Sequence, residues 1–354
     1  MPAWNRFIAD AGLKLAFFTG VAQIAERRRG GAGVILKFEH VRPPRAGAFQ
    51  PLRSKEISAE FLDKAIAAMR RWRYDFLSMD EVSARAQQSA LAQRFVCLTF
   101  EGAYRDFMTF AYPVLSRHRV PFTLYVPTGL VDGIAEAWWL ALEEIVARNP
   151  RIGLMIDDVE KRFGTGTTEE KYQIYNLLYD WLGSLPPAER TAAIGDLCTR
   201  YGVDLKAMSR DVAMTWPDLA KLARDPQATI ASATVHYPAV SCAKSNIVSR
   251  EMAMGRSVLE TALGRECRHF AYPFGDAVSF GPRDILLAQE AGFLTAVSAQ
   301  SGVVRADGKS NLFSLPRVAW DGRRKSIGSL RAVLSGIALR RERDVPQETK
   351  ANYV

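Results

Sequence analysis

The spacing of two apolar runs limits the fold of this chain more than any other feature. Residues 95–98 form an uninterrupted apolar run of the kind found in buried strands, and residues 122–126 form another about one helix length later. This pattern predicts a β–α–β unit with parallel strands. Chemistry in parallel sheets lies just past the carboxyl ends of the strands, so Glu101 is predicted to stand at a catalytic position. Asp106 is predicted to cap the helix that follows.

The same alternation of strand and helix patterns continues along most of the chain. Further strands are predicted at residues 34–38, 74–77, 228–235, 269–272, 294–298 and 315–320. Repeated units of this kind imply parallel strands covered by helices, as a barrel or a doubly wound sheet. The strand signal disappears over residues 149–211, where we expect a helical insertion.

Size and charge narrow the classes of function. With 354 residues and 48% hydrophobic composition, the chain can bury a large core in one α/β domain or two smaller ones. The net charge of +9 would suit an anionic partner, but the basic residues are scattered, so no nucleic-acid partner is expected. The four cysteines lie far apart in sequence, which argues against a disulfide framework and a zinc ribbon.

The amino-terminal segment allows two interpretations. Residues 15–25 are apolar and uncharged but too short to span a bilayer. They could form the core of a signal peptide, or they could belong to an amphipathic helix over residues 4–27 that packs on the body or rests on a membrane surface. We favour the helix, which predicts a cytoplasmic protein and leaves peripheral membrane contact open.

Three short stretches resemble signatures of a known family. They are TFEGAYRD at residues 99–106, SATVHYP at residues 232–238 and FAYPFG at residues 270–275. They resemble TFDDGYRD, GAHTxxHP and FAYPxG of the polysaccharide deacetylases of carbohydrate esterase family four, which include the nodulation-type chitooligosaccharide deacetylases. The likeness extends over residues 34–325 and implies a distorted (β/α) barrel, commonly with seven strands. Residues 1–33 would then form the amino-terminal helix and linker, and residues 326–354 a carboxy-terminal helix and polar tail.

The resemblance also implies a metal site that this sequence has lost. In the family, the first Asp of the signature is the general base, while the second Asp and two histidines bind the metal. The base position is Glu101 here, and the three ligand positions are Gly102, Ala233 and Tyr237. Glycine and alanine have no side-chain lone pair, and a phenol with a pKa of about 10 is a poor ligand at neutral pH. We therefore expect no cofactor and a catalytically degenerate site.

Two hypotheses of function follow from this resemblance. The first is a glycan-binding or regulatory protein of carbohydrate metabolism without catalysis. The alternative is an active hydrolase that removes N-acetyl groups from an amino-sugar oligo- or polysaccharide, with zinc or another divalent metal in a rearranged site built from Glu101, His236 and Tyr237. The family's general acid is a late histidine, and this chain has no histidine after His269.

Both hypotheses need residues that contact an oligo- or polysaccharide. Sugar sites combine aromatic faces with a few polar groups, and core packing is an equally good explanation for each aromatic residue. The predicted contact residues are His40, Tyr104, Arg105, Trp138, His236, Tyr237, Tyr272, Phe274 and Trp320.

Overall fold

The structure is a computed structural model that describes residues 32–87, 94–156, 159–305 and 310–335. The predicted amino-terminal helix and the end of the polar tail lie outside these residues. Among the helices within them, none combines the length and the apolar character needed to cross a membrane.

Strands and helices alternate as the sequence predicts. The strands are β1 (Gly33–Phe38), β2 (His40–Val41), β3 (Glu56–Ile57), β4 (Asp75–Phe76), β5 (Phe95–Glu101), β6 (Phe122–Val126), β7 (Arg151–Ile156), β8 (Val159–Gly164), β9 (Ala228–Ser232), β10 (His269–Ala271), β11 (Thr295–Val297) and β12 (Val318–Ala319). The α-helices are α1 (Ala59–Arg71), α2 (Met79–Gln87), α3 (Tyr112–His118), α4 (Thr128–Val131), α5 (Trp138–Arg148), α6 (Thr168–Ser184), α7 (Pro187–Tyr201), α8 (Leu205–Val212), α9 (Trp216–Ala223), α10 (Ser245–Leu263), α11 (Pro282–Glu290) and α12 (Ile327–Leu334). Short turns of 3-10 helix lie at Pro51–Lys55 and Val240–Cys242, and a π-helical turn lies at Phe107–Ala111.

The main sheet curls into a barrel of parallel strands. Its strand order is β11-β10-β9-β6-β5-β1-β12, and β4 also pairs with the start of β5. Leu315 forms a parallel bridge with Val297 of β11, and three residues later Val318 of β12 pairs with Leu36 of β1. The segment 315–319 therefore brings the two edges of the sheet together. This confirms the predicted distorted (β/α) barrel with seven strands along its path.

The two-residue period of β5 separates the barrel interior from the helical layer. Val96, Leu98 and Phe100 pack in the cluster that contains the residues of the outer helices. Phe95 and Cys97 pack with interior residues of the other strands. Because side chains alternate along a strand, this register places Glu101 on the inner face, at the carboxyl end of the barrel.

The insertion between β6 and β9 differs from the helical segment that the sequence predicts. It contains an antiparallel hairpin, in which β7 pairs with β8 along its whole length. The sequence gives no strand signal for β8 because this strand, VEKRFG, is largely exposed and charged. Helix α5 packs against α6 and α7, so the inserted layer already begins at Trp138.

Helix α12 packs against α1 as part of the helical layer of the barrel. All four cysteines are free thiols, and three of them are buried.

Candidate functional site

Glu101 lies at the end of β5 with its side chain 1% exposed. Its Oε1 accepts a hydrogen bond of 2.7 Å from Nη2 of Arg317, and its Oε2 contacts Nζ of Lys37. Arg317 is fixed in turn because its Nε donates to the carbonyl oxygen of Ser298 at 2.6 Å. Both oxygens of the carboxylate therefore face cations, one on the neighbouring strand β1 and one on the residue just before β12.

The charges continue from Glu101 towards the mouth of the barrel. Nζ of Lys37 lies 3.6 Å from Oε1 of Glu39, and Nζ of Lys55 lies 3.2 Å from Oε2 of Glu39. Burial alone would raise the pKa of Glu39, but the charges of Lys55 and Lys37 outweigh it and lower this pKa to about 2. Likewise, burial alone would lower the pKa of Lys55, but the charge of Glu39 leads the opposing effects, and the pKa lies well above its ordinary value. We call the series Lys55, Glu39, Lys37, Glu101 and Arg317 the ion-pair chain.

The first metal-ligand position is occupied by an aromatic ring. Gly102 has a φ of +97°, and a Cβ atom there would lie 2.2 Å from Cε2 of Tyr104. The Tyr104 ring stacks on His40 at 4.1 Å, and Nδ1 of His40 lies 2.7 Å from Oδ2 of Asp106. This corrects the prediction that Asp106 caps the helix. Asp106 makes no side-chain capping bond, and its carboxylate contacts His40, which is buried against the Tyr104 ring.

The other two ligand positions offer no donor to a metal. Ala233 is fully buried, and Tyr237 packs against Phe274 and Trp139 with ring centroids 5.2 Å and 5.9 Å away. Burial raises the pKa of Tyr237 well above its ordinary value, so its phenol stays neutral. Within the described ranges, no group of three His, Cys, Asp or Glu side chains could hold a metal ion. These residues do not fit a divalent metal.

His236 does not contact Glu101 or the residues at the three ligand positions through its side chain, which pairs with a different carboxylate. Its side chain is 52% exposed, and its Nδ1 lies 2.6 Å from Oε1 of Glu251 on α10. The hydrogen bond to Glu251 raises the pKa of His236. The small cavity beside Glu101 includes Tyr237 in its lining but not His236. The structure thus does not bring together the three residues of the rearranged site.

The aromatic residues predicted to contact a glycan differ in how deeply they are buried. Trp138 is buried on α5 and packs against Tyr179 and Phe274, with centroids 5.0 Å and 6.4 Å away. Phe274 is partly exposed. Tyr272 is fully buried, stacks on Phe280 at 4.2 Å and donates a hydrogen bond to the Phe313 carbonyl oxygen, so its contacts are with the core.

Trp320 and Arg105 contact different elements of the molecule. The Trp320 ring stacks on Phe61 of α1 at 5.2 Å and still contributes to the wall of the groove described below. Arg105 is exposed, and its Nη2 lies 3.5 Å from the carbonyl oxygen of Arg210 on α8. Its contact is therefore with the inserted layer.

A surface groove leads to the buried carboxylate. A cavity of about 10 Å³, enough for roughly one water molecule, is lined by Glu101, Gly102 and Tyr237 among others. A groove of about 360 Å³ shares four lining residues with it, which are Glu39, Lys55, Tyr179 and Phe274. Trp139 and Tyr179 of the inserted layer also line the small cavity. The insertion therefore narrows the mouth of the barrel beside Glu101.

The predicted set lacks several residues of the site, among them Lys37, Glu39, Lys55, Tyr179 and Arg317. Lys37 carries a visible signal, because a lysine within the apolar strand VILKF is unusual unless it is paired. Lys55 and Tyr179 carry none, since they lie in a 3-10 turn and a surface helix far from the signatures.

Comparisons with known proteins show which solved structures have a similar fold. A scan against protein-family models finds no match, and neither does a search of curated protein sequences. Among solved structures, the Streptococcus pyogenes deacetylase PplD is 17% identical with a TM-score of 0.55, covering 85% of this chain and 96% of its own. IcaB from Ammonifex degensii is 15% identical with a TM-score of 0.56, covering 87% and 98%. A de-N-acetylase from Aggregatibacter actinomycetemcomitans is 12% identical with a TM-score of 0.53, covering 85% and 99%. The chain shares the fold of these deacetylases.

Proposed function

We propose that this chain binds an oligo- or polysaccharide in carbohydrate metabolism, on the fold it shares with the deacetylases, without hydrolysing it. One observation carries the proposal: both oxygens of Glu101 are held by cations of the protein itself, Lys37 and Arg317. A general base needs a free lone pair within reach of the proton that it removes. Each oxygen of Glu101 already faces one of these cations, and Glu101 lines the small inner cavity but not the groove in which a glycan would lie.

The positions around Glu101 also lack the means to activate water. In a metal-dependent hydrolase, the metal lowers the pKa of bound water towards about 7. Gly102 and Ala233 provide no ligand atom, and Tyr237 is neutral and packed among aromatic rings. A cavity with room for roughly one water molecule leaves no space for an acetamido group beside the carboxylate.

The groove supports a carbohydrate ligand of low charge. Its wall includes the aromatic residues Tyr179, Phe274 and Trp320, which suit the apolar faces of sugar rings. Its charged residues balance, three basic against three acidic: Lys37, Lys55 and Arg323 against Glu39, Asp276 and Asp321. A balanced wall gives a polyanion no net attraction, so we infer an uncharged glycan rather than a polyuronate.

Isothermal titration with N-acetylated chitooligosaccharides tests the binding. We expect saturable binding that weakens at least tenfold in Tyr179→Ala and in Phe274→Ala. Trp216→Ala is the matched control, because Trp216 is a partly exposed aromatic residue outside the groove. A polyuronate of similar length serves as the charged comparison. Equal affinity for both glycans, or no loss in the two groove variants, would contradict the proposal.

A deacetylation assay separates binding from catalysis. The same oligosaccharides are incubated with the protein in the presence of Zn²⁺, and released acetate is measured. We expect no release above the level of a protein-free blank. Multiple turnovers that a chelator abolishes would establish instead the active hydrolase with a rearranged site.

A further inference from the structure

Lys37 occupies an unusual place for a lysine. It lies on β1, inside the barrel, with its side chain 7% exposed. Its ammonium group contacts Oε2 of Glu101 and lies 3.6 Å from Oε1 of Glu39. A lysine is rarely buried unless it is paired, and this one is paired with two carboxylates.

The carboxylate of Glu101 creates the need for such a cation. An ionised carboxylate removed from water is strongly unfavourable unless a counter-charge compensates it. In the family that the sequence resembles, a divalent metal stands beside the base position. Here Tyr104 fills the place of the first ligand, and the other two ligand positions carry no donor atom suited to a metal.

We propose that the ammonium group of Lys37 is the resident cation of this centre and takes the place of a metal ion beside Glu101. Together with Arg317 it neutralises the carboxylate from both sides, and Glu39 and Lys55 extend the ion-pair chain towards the groove. The centre is then complete without a metal, and divalent cations contribute nothing to its stability. Lys37 is a positioning residue, which acts by holding Glu101 and Glu39.

Thermal unfolding of three variants tests this role. Lys37→Met removes the charge and retains most of the side-chain volume, leaving one oxygen of Glu101 unpaired. Breaking a buried pair from one side lowers the melting temperature by roughly 10 °C in a chain of this size. Lys37→Met/Glu101→Gln/Arg317→Met removes the carboxylate together with both of its cations and leaves Glu39 paired with Lys55, and we expect it to recover at least half of that loss. Lys64→Met, on the exposed face of α1, should stay close to the wild type.

The outcomes decide the proposal in each case. A Lys37→Met protein as stable as the wild type, or a triple variant no more stable than Lys37→Met, would overturn it. If Lys37→Met fails to fold, a folded triple variant supports the charge role and an unfolded one refutes it.

Metal provides an independent readout. Neither millimolar Zn²⁺ nor a chelator should shift the melting temperature of the wild type. A stabilisation by Zn²⁺ that the chelator reverses would show a bound metal and refute the proposal. These measurements follow stability, so their outcome is separate from whether the groove binds the proposed glycan.

Discussion

The ring of Tyr104 lies 2.2 Å from the point where a Cβ atom on Gly102 would sit. Tyr104 is buried and stacked on His40, which Asp106 holds by a bond of 2.7 Å. The only space that the described residues leave beside the ring is the small inner cavity, which holds roughly one water molecule, so the ring has little room to move. Gly102 stands at a metal-ligand position of the family that the sequence resembles, and the Tyr104 ring packs against it. An Asp side chain at this position would disturb Tyr104, His40 and Asp106.

Gly102→Asp should therefore destabilise the protein by about 3 kcal/mol, measured as the free energy of unfolding in urea. Two effects contribute: an L-residue at a φ of +97° is strained, and the new side chain overlaps the Tyr104 ring. Gly195→Ala on α7 is the matched control, because a Cβ atom there meets nothing within 4 Å. We expect this control to be slightly more stable than the wild type, since alanine favours a helix. A Gly102→Asp protein of wild-type stability would show that Tyr104 moves freely.

Acid should weaken the ion-pair chain through Glu39. The pKa of Glu39 is lowered from 4.5 to about 2 in the folded protein, since the charges of Lys55 and Lys37 outweigh the effect of burial. A carboxyl group whose pKa is lower in the folded protein stabilises the fold at pH values above its unfolded pKa. This stabilisation is lost as the pH falls from about 4.5 to about 2. Over that window the wild type should lose about 3 kcal/mol more unfolding free energy than Glu39→Gln.

Glu39→Gln is compared with the wild type at each pH, so the contributions of the other carboxylates to the pH dependence cancel in the difference. The measurement is urea unfolding at intervals from pH 7 to pH 2. Parallel curves for the two proteins would mean that Lys55 and Lys37 do not stabilise the charged form of Glu39.

The sequence predicts the barrel well because its strands are apolar runs, and it fails where local geometry ends a strand early. The predicted strand 228–235 stops at Ser232 in the structure. Thr234 and Tyr237 have positive φ angles of 67° and 54°, so the chain turns away from the sheet there. At the last predicted strand, Pro316 lacks an N–H group, and regular pairing is limited to Val318–Ala319.

The site was only partly predictable for a different reason. The βα pattern locates Glu101 from nearby residues, and the resemblance identifies the changed ligand positions. The partners of Glu101 come from other strands, and Arg317 is 216 residues away in sequence. Such contacts exist only because the barrel brings its edges together, and no local pattern encodes them.

The pair of the half-exposed His236 and the largely buried Glu251 should be visible in solution as a shifted histidine titration. The hydrogen bond that the His236 ring donates to Glu251 raises the pKa of His236 above its ordinary value of 6.5. A histidine whose pKa is higher in the folded protein stabilises the fold at pH values below its unfolded pKa. This stabilisation disappears as the pH rises through the folded pKa. By NMR, the ring signal of His236 should titrate above pH 6.5 in the wild type and at a lower pH in Glu251→Gln.

The chain has four histidines, so the signal that disappears in His236→Gln identifies the residue. Glu144→Gln, which alters a carboxylate on α5 paired with Arg148, is the control and should leave the titration unchanged. An unchanged midpoint in Glu251→Gln would mean that the ring and the carboxylate are not paired in solution.

A buried and an exposed arginine should differ sharply in their contribution to stability. Arg317 is fully buried and bonds to Glu101 at 2.7 Å, whereas Arg148 pairs with Glu144 with 72% of its side chain exposed. Removing one partner of a buried pair costs about 3–5 kcal/mol because the remaining charge is left uncompensated. Surface pairs contribute about 0–1 kcal/mol, because water screens them. In urea unfolding, Arg317→Met should therefore lose about 3–5 kcal/mol and Arg148→Met less than about 1 kcal/mol. If Arg317→Met loses no more than Arg148→Met, Lys37 alone suffices to neutralise Glu101, and the carboxylate does not need cations on both sides.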